Sequence, residues 1–213
     1  TVNSGPFTGA RGGSEFWARS AKGASDSDYL TLPISSYGTE HITICFAFNT
    51  PSSPHFSSRY VLGHSEGGTG YCNVNLTSMS TSGGNVGVYI TSNNGASEVL
   101  NINAKTGVTS NTWHTFLLSI SKATASGYVV YDGALTNISS SVGNVGGVID
   151  IDTNAFQVLA NTTQSNFVGD LSSVYISNTY IDFSQGANRN KFIDQLGYPR
   201  DLTQQIEDGD IPN

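Results

Sequence analysis

Apolar residues in this chain recur at every second position over most of its length. HITICFAFNT (41–50) puts Ile42, Ile44, Phe46 and Phe48 on one face and His41, Thr43, Cys45 and Ala47 on the other. A period of two marks a β-strand, whose successive side chains leave opposite faces of a sheet. The second face here is small and only half polar, which predicts a strand covered on both sides. YCNVNLTSM (71–79) turns Cys72, Val74 and Leu76 inward, and NVGVYIT (85–91) does the same with Val86, Val88 and Ile90. TWHTFLLSIS (112–121) sets His114, Phe116, Leu118 and Ile120 against Trp113, Thr115, Leu117 and Ser119. DYLTLPI, RYVLGH, EVLNI, GYVVYDG, VIDIDT, AFQVLA and FVGDLSSVYIS read as further strands. Between them, KATASG turns the chain, and Asp132-Gly133 supplies the left-handed backbone of a tight hairpin.

One stretch has a helical pattern. In DFSQGANRNKFIDQLGYP (182–199), Ser184 is a candidate N-cap and Phe192, Ile193 and Leu196 form a face. Gly197 falls where a C′ glycine belongs, and Pro199 prevents continuation. The expectation is a short helix near 185–196. Residues 1–25, rich in Gly, Ser and Ala, read as a flexible or docking arm, with Phe16 and Trp17 as its contacts to a neighbouring protein. Residues 26–213 read as one all-β domain.

Composition narrows the class. The 213 residues carry 12% charged and 37% hydrophobic side chains and a net charge of −7. Such a surface repels phosphate backbones, so nucleic acid is not an expected partner. No apolar run approaches the ~20 residues of a membrane-spanning helix, so membrane insertion is not expected either. The two cysteines, Cys45 and Cys72, do not make a disulfide framework. Two buried thiols are the preferred reading, with one inter-strand bond left open.

The segments TWHTFLLSIS, YVVYDGAL, FQVLAN and FVGDLSSVYIS, in that order, resemble the second half of the concanavalin A-like lectin/glucanase superfamily, its laminin-G-like branch best. The resemblance implies a jelly roll of two curved antiparallel sheets. GDLSSVYISNTYIDFSQGANRNKFIDQLGYPRDL (169–202) is similar to the ending of lectin-like domains encoded by bacteriophages and prophages. It implies a virion-surface protein on a capsid or tail fibre. The expected partners are other virion proteins, such as a capsid or tail protein, and glycans on a cell surface. Self-association is left open.

Glucanases on this fold use Glu-x-Asp-x-Glu on one strand, which period two brings to one face. The five glutamates are at 15, 40, 66, 98 and 207, and none is followed two residues later by Asp. The nearest imitation, Asp150-Ile151-Asp152, continues to Asn154 rather than to a third carboxylate. No catalytic residue is therefore expected. His114 reads as wall, a neutral histidine bonded to a carbonyl at the sandwich rim, and Trp113 as a large plug at a strand start. Asp150, Asp152 and Asn154 offer hard oxygens at alternating positions, a candidate calcium site. Two acidic groups fall short of a calcium shell, so a metal-free loop is preferred and no cofactor is expected.

The candidate carbohydrate site is the polar side of the paired runs 71–77 and 85–91. Tyr71, Asn73, Asn75 and Tyr89 meet there if the two runs form a hairpin. Aromatic faces stack on sugar C–H patches and amides hydrogen-bond hydroxyls. An ordinary solvated face, or one covered by a neighbouring protein, fits the same residues. The function expected is a non-catalytic lectin-like domain. The alternative is a purely structural capsid decoration or cement protein, and a glycan-degrading enzyme ranks third.

Overall fold

The alternating segments become strands, and the strands make two antiparallel sheets. The computed structural model describes residues 16–23, 30–31, 37–50, 59–66, 69–80, 83–92, 97–143, 146–151, 157–158 and 167–211. In chain order the strands are β1 (Phe16–Gly23), β2 (Leu30–Thr31), β3 (Tyr37–Thr39), β4 (His41–Asn49), β5 (Arg59–Glu66), β6 (Thr69–Ser80) and β7 (Gly83–Ser92). They continue as β8 (Ser97–Val108), β9 (Trp113–Ser121), β10 (Ser126–Tyr131), β11 (Ala134–Asn137), β12 (Ile149–Ile151), β13 (Gln157–Val158) and β14 (Gly169–Ser177). One sheet has six strands in the order β1-β14-β4-β9-β10-β11. The other has eight, β2-β13-β5-β6-β7-β12-β3, with β8 beside β7. This is the expected jelly-roll sandwich.

Register follows the alternation. β4 pairs with β9 along its length, Phe46 opposite Phe116 and Ile44 opposite Leu118. The core between the sheets takes Ile42, Phe48, Phe116 and Ile120 from one and Val74, Val86, Val88 and Ile90 from the other, all but excluded from water. The β10–β11 hairpin turns on Asp132 and Gly133, both at positive φ (46° and 80°), as that dipeptide predicts. Residues 16–23, which the sequence assigned to an arm, form β1 and pair with β14, Trp17 opposite Tyr175.

β4 and β9, at the centre of the six-stranded sheet, are buried on both faces over nearly their whole length. After β14 the chain crosses the outer side of this sheet as a strap. Its residues Ile181, Phe183, Phe192, Ile193, Leu202 and Ile211 pack on Cys45, Leu117, Val130 and Tyr175. The small polar residues that made β4 and β9 look half polar hold this strap. Thr43 Oγ1 donates to the carbonyl of Thr179 (2.7 Å), Ser119 Oγ accepts the N–H of Ile181 (3.0 Å), and Thr115 Oγ1 donates to the carbonyl of Gly197 (2.9 Å). Irregular backbone buried against a sheet needs such partners. A hydroxyl on a small side chain satisfies them without holding the strap away.

The strap also corrects the expected helix. Only Gly186–Arg189 is helical (α1), and its N-cap is Gln185 with no side-chain cap bond, not Ser184. Phe192 and Ile193 both enter the cluster, whereas Leu196, one turn further on the same helical face, does not. The chain instead folds into a turn. Asp194 Oδ1 accepts the N–H of Leu196 and of Tyr198, Gly197 adopts φ +84°, and Ile193 pairs with Pro199. Leu196, assigned to the apolar face, is 79% exposed. Gly197 lies so close to the Asp132–Gly133 turn that a Cβ would sit 3.1 Å from the Asp132 carbonyl carbon. A second helix, α2 (Leu202–Glu207), follows, which the pattern did not indicate.

Candidate functional site

With one sheet sealed by the strap, the candidate site lies on the outer face of the other. Pairing of β6, β7 and β8 lays two polar rows across it. Asn73 is opposite Tyr89, and Tyr89 is opposite Asn101. Asn75 is opposite Gly87, and Gly87 is opposite Asn103. The residues between them point into the core: Val88 pairs with Ile102 and Ile90 with Leu100. The hairpin required by the sequence argument therefore exists, and Asn73, Asn75 and Tyr89 share its rows. Tyr71 is placed on β6 opposite Ser65 of β5.

The sequence reading stopped short of β8. Asn101 and Asn103 are exposed and extend both rows, and Asn101 Nδ2 donates to Glu98 Oε2 at 3.0 Å. The alternation of Leu100 and Ile102 with Asn101 and Asn103 could have shown this. Tyr89 is half-buried, so part of its ring stays accessible. Asn101, Asn103, Glu98 and Tyr89 offer amide donors and acceptors, a carboxylate acceptor and an aromatic surface. That set suits hydroxyl-rich ligands. Among the described residues, the two hydrophobic clusters lie between the sheets and under the strap, not on this face.

His114 sits at the rim and is structural. Its Nδ1 lies 2.8 Å from Asp132 Oδ2, and its Nε2 lies 2.9 Å from the Thr109 carbonyl and 3.1 Å from the Thr109 hydroxyl. A protonated ring donates from Nε2 to the carbonyl, and a neutral one accepts there from the hydroxyl. Burial works against a charged ring, but the Asp132 hydrogen bond, the Thr109 carbonyl and the Asp132 charge together raise the pKa above its ordinary value, with Lys105 opposing. The ring lies between Phe48 (5.4 Å) and Tyr131 (5.3 Å, stacked). Asp132 Oδ1 also accepts the N–H of Thr115 at 2.8 Å. Read from the chain alone, Asp132 has only a turn role. The hairpin that makes the turn brings its carboxylate to His114. With both nitrogens engaged and the ring nearly sealed from solvent, His114 has no free lone pair for proton transfer.

Trp113 is not a plug: it is 45% exposed on the outer face. Thr115, next on that face, is capped by the strap, but the strap does not reach over Trp113. Asp150 lies on β12 opposite Gly38, while Asp152 and Asn154 fall outside the described residues. Among the described residues no group of three His, Cys, Asp or Glu could hold a metal ion. Phe16 and Trp17 lie on β1 opposite Ile176 and Tyr175. Cys45 and Cys72 are both free and buried, Cys45 under the strap and Cys72 between the sheets. Burial raises both thiols, Cys72 to about 12.

Comparison with known proteins agrees with this architecture. The family model described as the Concanavalin A-like lectin/glucanases superfamily, Laminin_G_3, matches residues 23–182. None of the curated protein sequences matches the chain. Among solved structures, domain 4 of AbnA, a GH43 extracellular arabinanase from Geobacillus stearothermophilus, in complex with arabinotriose, is similar at TM-score 0.54 and 15% identity. That likeness covers 87% of this chain and 84% of that one. The CBM40 of the Ruminococcus gnavus IT-sialidase bound to alpha2,3 sialyllactose is similar at TM-score 0.52 and 13% identity, over 79% of this chain and 94% of that one. A heptameric SAP-like pentraxin from Limulus polyphemus gives TM-score 0.50 and 13% identity, over 79% and 77%. At such identities the likeness is one of fold.

Proposed function

The chain belongs to the concanavalin A-like lectin/glucanases superfamily, and on that premise we propose that it is a non-catalytic carbohydrate-binding domain of a bacteriophage virion protein, contacting glycans on a cell surface. The observation that carries the binding reading is the outer face of the eight-stranded sheet, where the rows Asn73–Tyr89–Asn101 and Asn75–Gly87–Asn103 run side by side and Asn101 and Asn103 are exposed. Two solved structures of similar fold are complexes with saccharides, arabinotriose in one and sialyllactose in the other. The absence of a Glu-x-Asp-x-Glu strand from the sequence favours binding over hydrolysis. The virion setting rests on the resemblance of residues 169–202 to phage-encoded lectin-like endings.

A glycan array on the purified chain tests the reading. Selective binding is expected, falling at least tenfold in Tyr89→Ala with the melting temperature held. Binding unchanged in Tyr89→Ala and in Asn103→Ala would remove the site from this face. A chain that binds no glycan but co-sediments with capsids or tails would be the structural decoration protein instead.

A further inference from the structure

A second candidate site lies on the opposite side of the sandwich, where the strap closes back on itself. Thr179, Tyr180, Ile181, Asp182, Asn188, Lys191, Asp210 and Ile211 line a pocket of about 310 Å³. That is the lower end of the ~300–1,000 Å³ typical of small-ligand sites. Ile181 and Ile211 are buried, so they anchor the pocket in the cluster below. Tyr180 rests near the His41 ring, centroids 6.3 Å apart and tilted. The wall beside it is braced, with Asn188 Nδ2 donating to the Asp182 carbonyl (3.0 Å) and Asp182 Oδ1 accepting the N–H of Ser184 (2.9 Å).

The groups left over at this pocket are chemically diverse. Lys191 and Asp210 have no ion pair among the described residues, although lysine and aspartate line the same pocket. The phenol ring supplies an aromatic face, the Asp210 carboxylate accepts and the Lys191 ammonium donates, while the Asp182 carboxylate, already bonded to Ser184 and Gln185, adds negative charge. Vicinal hydroxyls of a sugar ring meet that pattern: each hydroxyl can donate to a carboxylate and accept from the ammonium. Two carboxylates against one ammonium repel a ligand that carries its own carboxylate.

We propose that this pocket is a second saccharide subsite that takes one neutral sugar unit and rejects sialic acids. It rests on the carbohydrate-binding reading above and adds a location and a charge preference to it. The sheet face and the strap pocket lie on opposite sides of the sandwich, so one chain would hold two glycan ends.

The test is a two-dimensional NMR titration of the full chain with glucose, galactose, mannose, arabinose and free N-acetylneuraminic acid. Wild type is compared with Tyr180→Phe, Lys191→Met and Tyr89→Ala. At least one neutral sugar is expected to shift the Asn188 side-chain amide and the Ile181 and Ile211 methyls, with N-acetylneuraminic acid giving no shift there. Lys191→Met should weaken that response at least fivefold, and Tyr89→Ala should leave it unchanged. Tyr180→Phe retains the ring and checks that the pocket is intact. Shifts confined to the sheet face would overturn the second subsite alone. No shift with any sugar at either place would overturn both readings. Equal shifts with N-acetylneuraminic acid would overturn the charge preference and with it the proposal.

Discussion

At the scale of single residues, His114 shows how a position fixed by alternation has its pKa moved by its neighbours. Its face of β9 is inward by period two, and burial alone would lower that pKa. The Asp132 carboxylate and the Thr109 carbonyl raise it above the ordinary value. A histidine whose folded pKa exceeds its unfolded value, roughly 6.5, adds stability that is complete below that value. The contribution is lost as pH rises through the folded pKa. Wild type should therefore lose stability on going from pH 6 to pH 9, relative to His114→Asn, in urea denaturation at each pH. Parallel curves for the two proteins would mean that folding does not raise the His114 pKa. Trp113 teaches the opposite lesson. Its size suggested burial, yet the strap leaves it 45% exposed.

At the scale of elements, the strap decides which sheet faces are open. β4 and β9 announce in their sequence that both faces are buried, because the face opposite the phenylalanines carries Thr, Cys, Ala, Leu and Ser rather than charge. What covers that face was not legible. Phe183 sits at the centre of the strap cluster, edge-on to Phe192 at 5.6 Å and fully buried. Phe183→Ala should cost about 3–5 kcal/mol, as large-to-small changes at buried phenylalanines do. The loss is measured by chemical denaturation, and a cost under 1 kcal/mol would mean that the strap rests loosely on the sheet. The misread helix belongs to this scale too. Phe192, Ile193 and Leu196 have helical spacing, but the sheet beneath offers sockets for the first two only. Asp194 and Gly197 then turn the chain away.

At the scale of the whole molecule, the two thiols report on two separate cores. Cys72 lies between the sheets, and Cys45 lies under the strap on the far side of the six-stranded sheet. Exposing Cys72 requires the sheets to part, whereas Cys45 requires only the strap to lift. Regions with fewer long-range supports open first. In sub-denaturing urea, iodoacetamide should label Cys45 well before Cys72, as read by peptide mass spectrometry. Simultaneous labelling would show that strap and sandwich unfold as one unit. The same layering separates the candidate binding surfaces: one lies on the outer face of the eight-stranded sheet, the other in the strap that covers the six-stranded one.

The sequence by itself determined the sheets. Period-two alternation is a local property of the backbone, so each strand carries its own statement of which residues face inward, and the Asp132-Gly133 hairpin carries its own turn. The hairpin of β6 and β7, and with it the pairing of Asn73 with Tyr89, was likewise legible. Tertiary structure alone decided which faces remain open, where the strap runs, that Asp132 meets His114, and that Tyr180, Lys191 and Asp210 share one pocket. These depend on contacts between segments far apart in the chain. No periodicity within a segment encodes what will later be laid across it.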